Sequence, residues 1–395
     1  MITAPDRVPR SAPGSTTGPL APGVDPDVWT VLVMVAELQG PDGEPDARVA
    51  LLSREDFDHG RLVEQAMRHR LIAALADFLV RHGLLPVIPA RLRYCLVMYL
   101  RTNRHRTEVY TAEAARVSRE LASAGVTAAW TKGVIAQELL YGGSAVRMFN
   151  DIDLMIAPQD RSAVQELLPA IGYVPDCVWD EESARLVPRS RTDLRIYQLS
   201  PDHLPHFNRI GPDPVMPYTV IDVANSLTWH GSPWQVPMDT VMSRTRTVER
   251  RDGESVPALS AGDSFLFTCL HLFREGWLDR FARAKGLSLS QFGDVLREWT
   301  RLTRDERRAL AGEIAALGLA EPVAWVSGHT DAVFGSDITA GLGLGEYANE
   351  AWLAGAMGAN GKPLRWSGDM RAWLTGRGTE RPMPQDDSAD HPTAG

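Results

Sequence analysis

Apolar residues recur every three or four positions over the first third of the chain, and this spacing predicts helices. The pattern runs from Asp27 to Ala124, through segments such as "VDPDVWTVLVMVAEL" and "RLRYCLVMYLRTNRHRTEVYTAEAARVSRELASAG". Asp27 is the expected N-cap of the first helix, and Gly125 the residue that ends the last one. We therefore predict an N-terminal helical region over residues 27–124.

The period changes after this region. "VTAAWT" and "DIDLMIA" are short apolar runs typical of buried strands, and each is followed by a helical pattern, "VIAQELLYGG" and "RSAVQELLPAIGY". "DLRIYQLS" and "YTVIDVANSL" are candidate third and fourth strands. This alternation predicts a mixed α/β sheet domain over residues 125–234.

Helical spacing returns after "GESVPALS", which resembles a turn. Ser260 and Asp263 form a start like a capping box for "AGDSFLFTCLHLFREGW", and further amphipathic segments follow. These segments predict a C-terminal helical region over residues 235–375. Residues 1–26 and 376–395 are rich in Pro, Gly and Ser and offer little to bury, so we expect a disordered leader and tail. The predicted fold class is α+β, with a mixed-sheet core between two helical regions.

Composition narrows the function classes. The 395 residues are 44% hydrophobic and 23% charged, which is typical of a globular protein of two or three domains. The formal net charge of −9 counts against nucleic-acid partners and anionic membranes. Cys95, Cys177 and Cys269 show no C-x-x-C pairing, which predicts reduced thiols and no zinc site. No apolar run is long enough to span a bilayer, so we expect a cytoplasmic protein without a membrane partner.

Two aspartates stand at the start of the second predicted strand. Residues i and i+2 of a strand point to one face, so Asp151 and Asp153 project together. Two adjacent carboxylates suit a hard cation such as Mg²⁺, or Mn²⁺, and a third from a neighbouring strand would complete a two-metal site. Asp222 is the first candidate for that third carboxylate and Asp193 the second. The alternative is a solvated strand end without an ion.

Lys132 and Gly133 stand where the first predicted strand meets a helix. Such a junction offers backbone N–H groups and a cation to a phosphate, and glycine allows close approach. The alternative is a lysine at a strand end beside a helix-start glycine. His203 and His206 in "DHLPHF" have spacing that could suit a metal, but without Cys or Glu partners we interpret them as polar loop residues.

The stretch "WTKGVIAQELLYGGSAVRMFNDIDLMI" resembles the core of the uncharacterised nucleotidyltransferase family of the polymerase-β superfamily. That family carries Lys-Gly after a first strand, an arginine, and then Asp-x-Asp-Leu, which here are Lys132, Gly133, Arg147, Asp151, Asp153 and Leu154. The similarity spans roughly residues 60 to 300. A later Asp-Leu-His-Trp-like strand of the family reads "IDVAN" here, so Asp222 matches and Ala224 stands in place of the histidine.

The resemblance implies transfer of a nucleoside monophosphate (NMP) from an NTP, with ATP expected, to a small-molecule acceptor. Asp151 and Asp153 would hold the Mg²⁺ or Mn²⁺ ions that bridge the triphosphate. Asp222 would bind the second ion and help to deprotonate the acceptor hydroxyl.

The same resemblance assigns phosphate binding to Lys132, Gly133 and Arg147. It leaves two alternatives open. One is the same chemistry on a protein side chain or a tRNA end. The other is a catalytically degenerate nucleotide-binding or scaffold protein, and Ala224 keeps this alternative open.

Overall fold

A computed structural model describes residues 25–37, 47–198, 201–251, 253–284, 286–358, 361–366, 368–376 and 385–386. The predicted leader and tail therefore lie almost entirely outside the described residues. No helix in the described ranges combines the length and the apolar character needed to cross a membrane.

Helices dominate both ends of the described chain. They are α1 (Pro26–Glu37), α2 (His59–Arg68), α3 (Ile72–Arg81), α4 (Ala90–Ser123), α5 (Lys132–Leu139), α6 (Arg161–Ala170), α7 (Arg191–Gln198), α8 (Met238–Ser243), α9 (Ala261–Trp277), α10 (Asp279–Ala284), α11 (Leu289–Arg301), α12 (Arg304–Ala316), α13 (Ala320–Phe334), α14 (Ile338–Gly341), α15 (Glu350–Leu353) and α16 (Met370–Thr375).

The strands fall mainly between α4 and α9. They are β1 (Ala128–Thr131), β2 (Ile152–Ile156), β3 (Val174–Pro175), β4 (Cys177–Asp180), β5 (Arg185–Pro188), β6 (Phe207–Ile210), β7 (Tyr218–Ala224), β8 (Arg246–Glu249), β9 (Ser255–Ala258), β10 (Gly355–Met357), β11 (Pro363–Arg365) and β12 (Gln385–Asp386). Seven strands form the main sheet in the order β3-β6-β7-β2-β1-β9-β8. In this sheet β2 pairs with β7 in parallel and with β1 antiparallel. The mixed sheet with helices before and after it confirms the predicted α+β fold class.

Two segments differ from the prediction. "DLRIYQLS" was expected to be a strand, but Arg191–Gln198 is the helix α7, so the candidate Asp193 lies on a helix, and its side chain is outside the described part. "GESVPALS" was expected to be a turn, but it contains β9, which pairs in parallel with β1. The main sheet therefore continues beyond residue 234, into the region expected to be helical. Segments this short satisfy more than one local pattern, and their partners in the fold decide between them.

The first helix begins differently from the expectation. Asp25, not Asp27, acts as the cap: its Oδ1 accepts hydrogen bonds from the backbone N–H groups of Asp27 and Val28 at 2.9 and 3.4 Å. An N-cap carboxylate satisfies N–H groups that have no partner within the helix. α1 therefore starts at Pro26, whose fixed φ suits a first helical position.

The long helix α4 links two apolar cores. Its Leu96 and Leu100 belong to a core shared with α1, α3, α9 and α13. Its Val117 and Leu121 belong to a second core beneath the main sheet. Because one continuous helix contributes to both cores, it holds the helical regions and the sheet in a common frame.

A buried acid on α4 adds a polar link to the sheet. Glu113 accepts hydrogen bonds from Arg209 of β6 at 2.7 and 2.8 Å, and also from Arg116 and from the Tyr173 hydroxyl. Burial alone would raise the pKa of Glu113, but these donors together lower it from 4.5 to about 2. The ionised form is therefore the form that the fold stabilises.

This lowered pKa predicts a pH dependence of stability. A depressed pKa adds stability above the unfolded value near 4.5, and that stability is lost as the pH falls through the folded value near 2. The stability gap between wild type and Glu113→Gln should thus narrow from pH 5 to pH 2, as measured by urea unfolding. Glu350→Gln, at a side chain that is 95% exposed, is the control and should show no such trend. A gap that stays constant over this range would contradict the prediction.

Candidate functional site

The register of the central strands brings the predicted acids together. Asp153 of β2 lies directly opposite Asp222 of the parallel strand β7, and Asp151 immediately precedes β2. Paired residues of neighbouring strands project to one side of the sheet, as do residues i and i+2 of one strand. Each of the three acids offers a carboxylate oxygen, and these atoms lie within 4.8 Å of one another. We call these three residues the carboxylate trio.

Lys132 supplies a positive charge at the trio. Thr131, the last residue of β1, pairs with Asp153, so the next side chain reaches the same carboxylate: Lys132 Nζ lies 3.1 Å from Asp153 Oδ1. The ammonium also lies 4.9 Å from the centre of the Phe267 ring of α9. Burial would lower the pKa of Lys132, but Asp153, Asp222 and Glu275 raise it above its ordinary value. The lysine therefore stays charged.

The backbone of Lys132 is strained, because its φ is +41°. A left-handed conformation costs a non-glycine residue about 1–2 kcal/mol. Such strain persists only where the surrounding structure enforces it, and it is concentrated at functional sites. The fold therefore keeps Lys132 in an unfavourable backbone conformation at the junction between β1 and α5, where its ammonium group contacts the trio.

Two histidines contact the third carboxylate. His203 Nδ1 lies 3.3 Å and His206 Nε2 lies 3.6 Å from Asp222 Oδ1. Burial would raise the pKa of Asp222, but the hydrogen bond from His203 and the nearby His206 and Lys132 lower it well below its ordinary value. Asp222 is therefore ionised at neutral pH. For His206, burial outweighs the attraction of Asp222 and lowers the imidazole pKa.

One face of α4 holds the loop that leads to the acidic pair. Asn103, Arg106 and Tyr110 lie three and four positions apart and donate hydrogen bonds to backbone carbonyls within residues 145–150, at 2.7, 2.8 and 2.7 Å. These bonds satisfy carbonyl groups of an irregular segment that runs close to the core. They set where the chain enters β2 and thereby position Asp151.

Gly133 lies against the same loop. A Cβ at this position would be 2.9 Å from the Phe149 ring and 3.3 Å from the carbonyl oxygen of Asp151. No other residue fits without displacing one of them, because real Cβ contacts are essentially never below 3.0 Å. The glycine therefore permits the close approach of α5 to the segment that carries Asp151.

Arg147 forms hydrogen bonds to residues of two helices. Its Nε donates to Asp294 Oδ2 of α11 at 3.0 Å, and its backbone N–H donates to the Gln137 side chain. Burial would lower the pKa of Arg147, but Asp294 raises it above its ordinary value, with a smaller contribution from Asp153. The guanidinium is thus bonded to α11, and the phosphate contact implied by the resemblance stays a prediction.

A profile of the family described as uncharacterised nucleotidyltransferase matches residues 55–335. That span is most of the chain and contains the trio, Lys132 and Gly133. The chain belongs to this family. Nucleotidyl transfer is accordingly the general role that the family supports, with an NTP as the substrate. A comparison with curated proteins found no match.

Three residues at the trio or next to it were not predicted from the sequence to lie there. His203 and His206 were interpreted as polar loop residues, yet both contact Asp222. The third residue is Arg274 of α9, whose Nη1 lies 3.4 Å from His203 Nε2. The only local signal was the pair of histidines just before β6, a strand that is itself the antiparallel neighbour of β7.

Substitution of Lys132 tests whether this residue contributes to NTP binding. Lys132→Ala should weaken NTP binding by about 10- to 100-fold, because it removes the ammonium that we expect to face the triphosphate, a charge-assisted contact of about 1.5–3 kcal/mol. Isothermal titration calorimetry measures the affinity, and circular dichroism checks the fold. Lys362→Ala, at an exposed lysine, is the control. An unchanged NTP affinity in Lys132→Ala would remove this lysine from the site.

Proposed function

We propose that this nucleotidyltransferase moves an NMP unit from an NTP, with ATP the expected donor, to a hydroxyl group of a small molecule. The observation that carries the proposal is the carboxylate trio beside Lys132. Three carboxylates with oxygen atoms within 4.8 Å of one another repel each other when they are charged, and Lys132 contacts one of them, Asp153, at 3.1 Å. Such a cluster is stable in a partly buried site when further positive charge binds there.

The trio has the donor chemistry of a Mg²⁺ or Mn²⁺ site. Carboxylate oxygens are the ligands that these hard ions prefer, and the ions bind through one or two carboxylates together with substrate phosphates. We propose that Asp151, Asp153 and Asp222 hold the ions. Bound there, the ions would neutralise triphosphate charge and polarise the phosphorus that is attacked.

The lowered pKa of Asp222 refines its role. A carboxylate that binds a proton so weakly is a poor general base at neutral pH, because the optimal catalytic pKa lies near the operating pH. We therefore assign Asp222 to ion binding first. In the transfer, the acceptor oxygen bonds to the α-phosphorus, the bond from the α-phosphorus to the bridging oxygen of the leaving pyrophosphate breaks, and the hydroxyl proton passes to solvent water.

The start of α5 suits the phosphate groups. Thr131 precedes this helix and gives it no side-chain cap, so the first N–H groups are available to an anion beside Lys132. We propose that Lys132, Gly133 and these N–H groups bind the triphosphate. Arg147, bonded to Asp294, supports the site by anchoring the preceding loop.

The thiols and the substrate support a proposal for the compartment. Cys95, Cys177 and Cys269, the cysteines of the described ranges, are all free. Free thiols, one of them exposed, suit a reducing compartment, and NTPs are abundant in the cytoplasm. We propose a cytoplasmic enzyme.

Label transfer tests the proposal. The protein is incubated with each α-³²P-labelled NTP, Mg²⁺ or Mn²⁺, and separate small-molecule, protein and RNA fractions of a cell extract. We expect label in the small-molecule fraction, a mass increase of one NMP on the acceptor, and release of pyrophosphate. Label in the protein or RNA fraction would replace the small-molecule acceptor with a macromolecular one. No transfer with any NTP, in every fraction, would favour the degenerate scaffold.

A further inference from the structure

The segment before β6 lies beside the end of β7. The backbone N–H of Leu204 donates to the carbonyl of Val223 at 2.9 Å, and that of Asn225 donates to the carbonyl of Asp202 at 3.0 Å. His203 lies between these two bonds and forms an antiparallel bridge with Ala224. The position of His203 is therefore set by backbone pairing, as in a strand, and not by a free loop.

This pairing brings the imidazole to the face of Asp222. Ala224 is two residues beyond Asp222 on the same strand, so their side chains share a face, and a residue opposite Ala224 projects to that face as well. The methyl group of Ala224 fills little of the space there. A larger side chain at position 224 would compete with the His203 ring.

Hydrogen bonds decide which ring nitrogen of His203 carries the proton. A guanidinium can only donate, so the contact of Arg274 Nη1 with His203 Nε2 at 3.4 Å favours the tautomer in which that nitrogen accepts. Asp202 Oδ2 lies farther from the same nitrogen, at 3.6 Å, which is beyond the usual hydrogen-bond distance. His203 Nδ1 then carries the hydrogen and donates to Asp222 Oδ1 at 3.3 Å. Asp202, 3.8 Å from the same Arg274 nitrogen, balances the arginine charge.

Arg274 itself is held in place. It belongs to the 17-residue helix α9, and its guanidinium lies 4.7 Å from the centre of the Phe281 ring. The chain of contacts therefore runs from a packed helix through Arg274 and His203 to one oxygen of Asp222. A carboxylate fixed in this way loses little rotamer freedom when a cation binds.

We propose that His203 is a positioning residue, which holds the Asp222 carboxylate in the orientation that completes the cation site, with Arg274 fixing the histidine tautomer. This inference rests on the proposed function, since it assumes that the trio binds a divalent cation. It assigns a role to a histidine that supplies no atom to the trio. Outer partners of this kind typically change metal affinity by about 10- to 100-fold.

Binding of Mn²⁺ to the whole protein without nucleotide, followed by electron paramagnetic resonance, tests the proposal independently of activity. We expect His203→Ala to weaken Mn²⁺ binding by about 10- to 100-fold. His203→Asn, whose amide N–H can replace the Nδ1–H donor, should recover most of the affinity. His230→Ala, at an exposed histidine, is the matched control and should bind as the wild type does.

The outcomes separate this inference from the proposed function. If the wild type binds Mn²⁺ and His203→Ala binds it equally well, the positioning role is overturned and the proposed function stands. If His203→Asn is as weak as His203→Ala, the ring acts through packing, and the hydrogen-bond account is wrong. If the wild type binds no Mn²⁺ and transfers no NMP, both the proposed function and this inference are contradicted. Should His203→Ala fail to fold, the comparison of His203→Asn with the wild type decides.

Discussion

Asp153→Asn is expected to lower NMP transfer by about 10³-fold or more, equivalent to roughly 4 kcal/mol of transition-state stabilisation. The carboxylate is at the centre of the trio: it pairs with Asp222 across the strands and contacts Lys132 at 3.1 Å. Asparagine keeps the shape but loses the charge and one acceptor oxygen. The loss should appear in kcat with α-³²P-NTP as substrate.

The same variant separates an ion site from a structural acid pair. Mg²⁺ or Mn²⁺ with NTP should raise the thermal midpoint of the wild type, because a ligand at one hundred times its Kd stabilises the folded state by about 2.7 kcal/mol. Asp153→Asn should lose this gain. Without ligand its midpoint should change little, since relief of repulsion within the trio offsets the lost pair with Lys132.

A matched control is available on α12. Asp305 is 89% exposed at its side chain, so Asp305→Asn should retain both the activity and the ligand-induced rise in midpoint. A wild-type midpoint that does not move over a wide range of metal and NTP concentrations would instead support a scaffold. A lower thermal midpoint in Asp153→Asn, together with no effect of metal on the wild-type midpoint, would also support a scaffold.

Asp294→Ala is expected to destabilise the protein by about 3–5 kcal/mol, the usual cost of leaving a buried charge without its partner. Asp294 accepts from Arg147 at 3.0 Å and from the Tyr141 hydroxyl at 2.6 Å, and it is almost fully buried. Arg297 donates to the same hydroxyl at 3.2 Å and lies over the Tyr141 ring. Removing the carboxylate leaves the Arg147 guanidinium uncompensated.

Urea unfolding measures this effect. Asp294→Asn keeps an acceptor for Tyr141 but removes the charge. Its free energy of unfolding should therefore lie between that of the wild type and that of Asp294→Ala. Asp305→Ala, at an exposed acid, should change stability by about 0.5 kcal/mol or less. A loss below about 1 kcal/mol in Asp294→Ala would mean that water or another group already compensates Arg147.

The arginine of the motif has a structural partner that is distant in sequence. Arg147 precedes the acidic pair by a few residues, and the resemblance implied a phosphate contact. Its carboxylate partner, Asp294, is 147 residues further along the chain, and the phosphate contact stays a prediction. Arg147 therefore joins α11 to the loop of residues 145–150, which α4 also contacts. The contacts that stabilise the fold here also position the loop that leads to Asp151.

The local parts of the site could be predicted from the sequence, because they depend on short-range geometry. The two-residue period of a strand places Asp151 and Asp153 on one face whatever the fold around them. Helical periodicity likewise predicted helices before β1 and after β9. The change of period at Gly125 predicted where the sheet begins.

Only the tertiary structure decided which partners meet. The period of a strand says which side chains share a face, but not which strand lies next to it, so the pairing of Asp153 with Asp222 depended on register. The contact of His203 with Asp222 depended on the bridge to Ala224. Short segments were equally undetermined: "DLRIYQLS" became helix α7 and "GESVPALS" contributed β9. In each case contacts with residues distant in sequence stabilise the observed structure, and a local sequence pattern does not reveal those contacts.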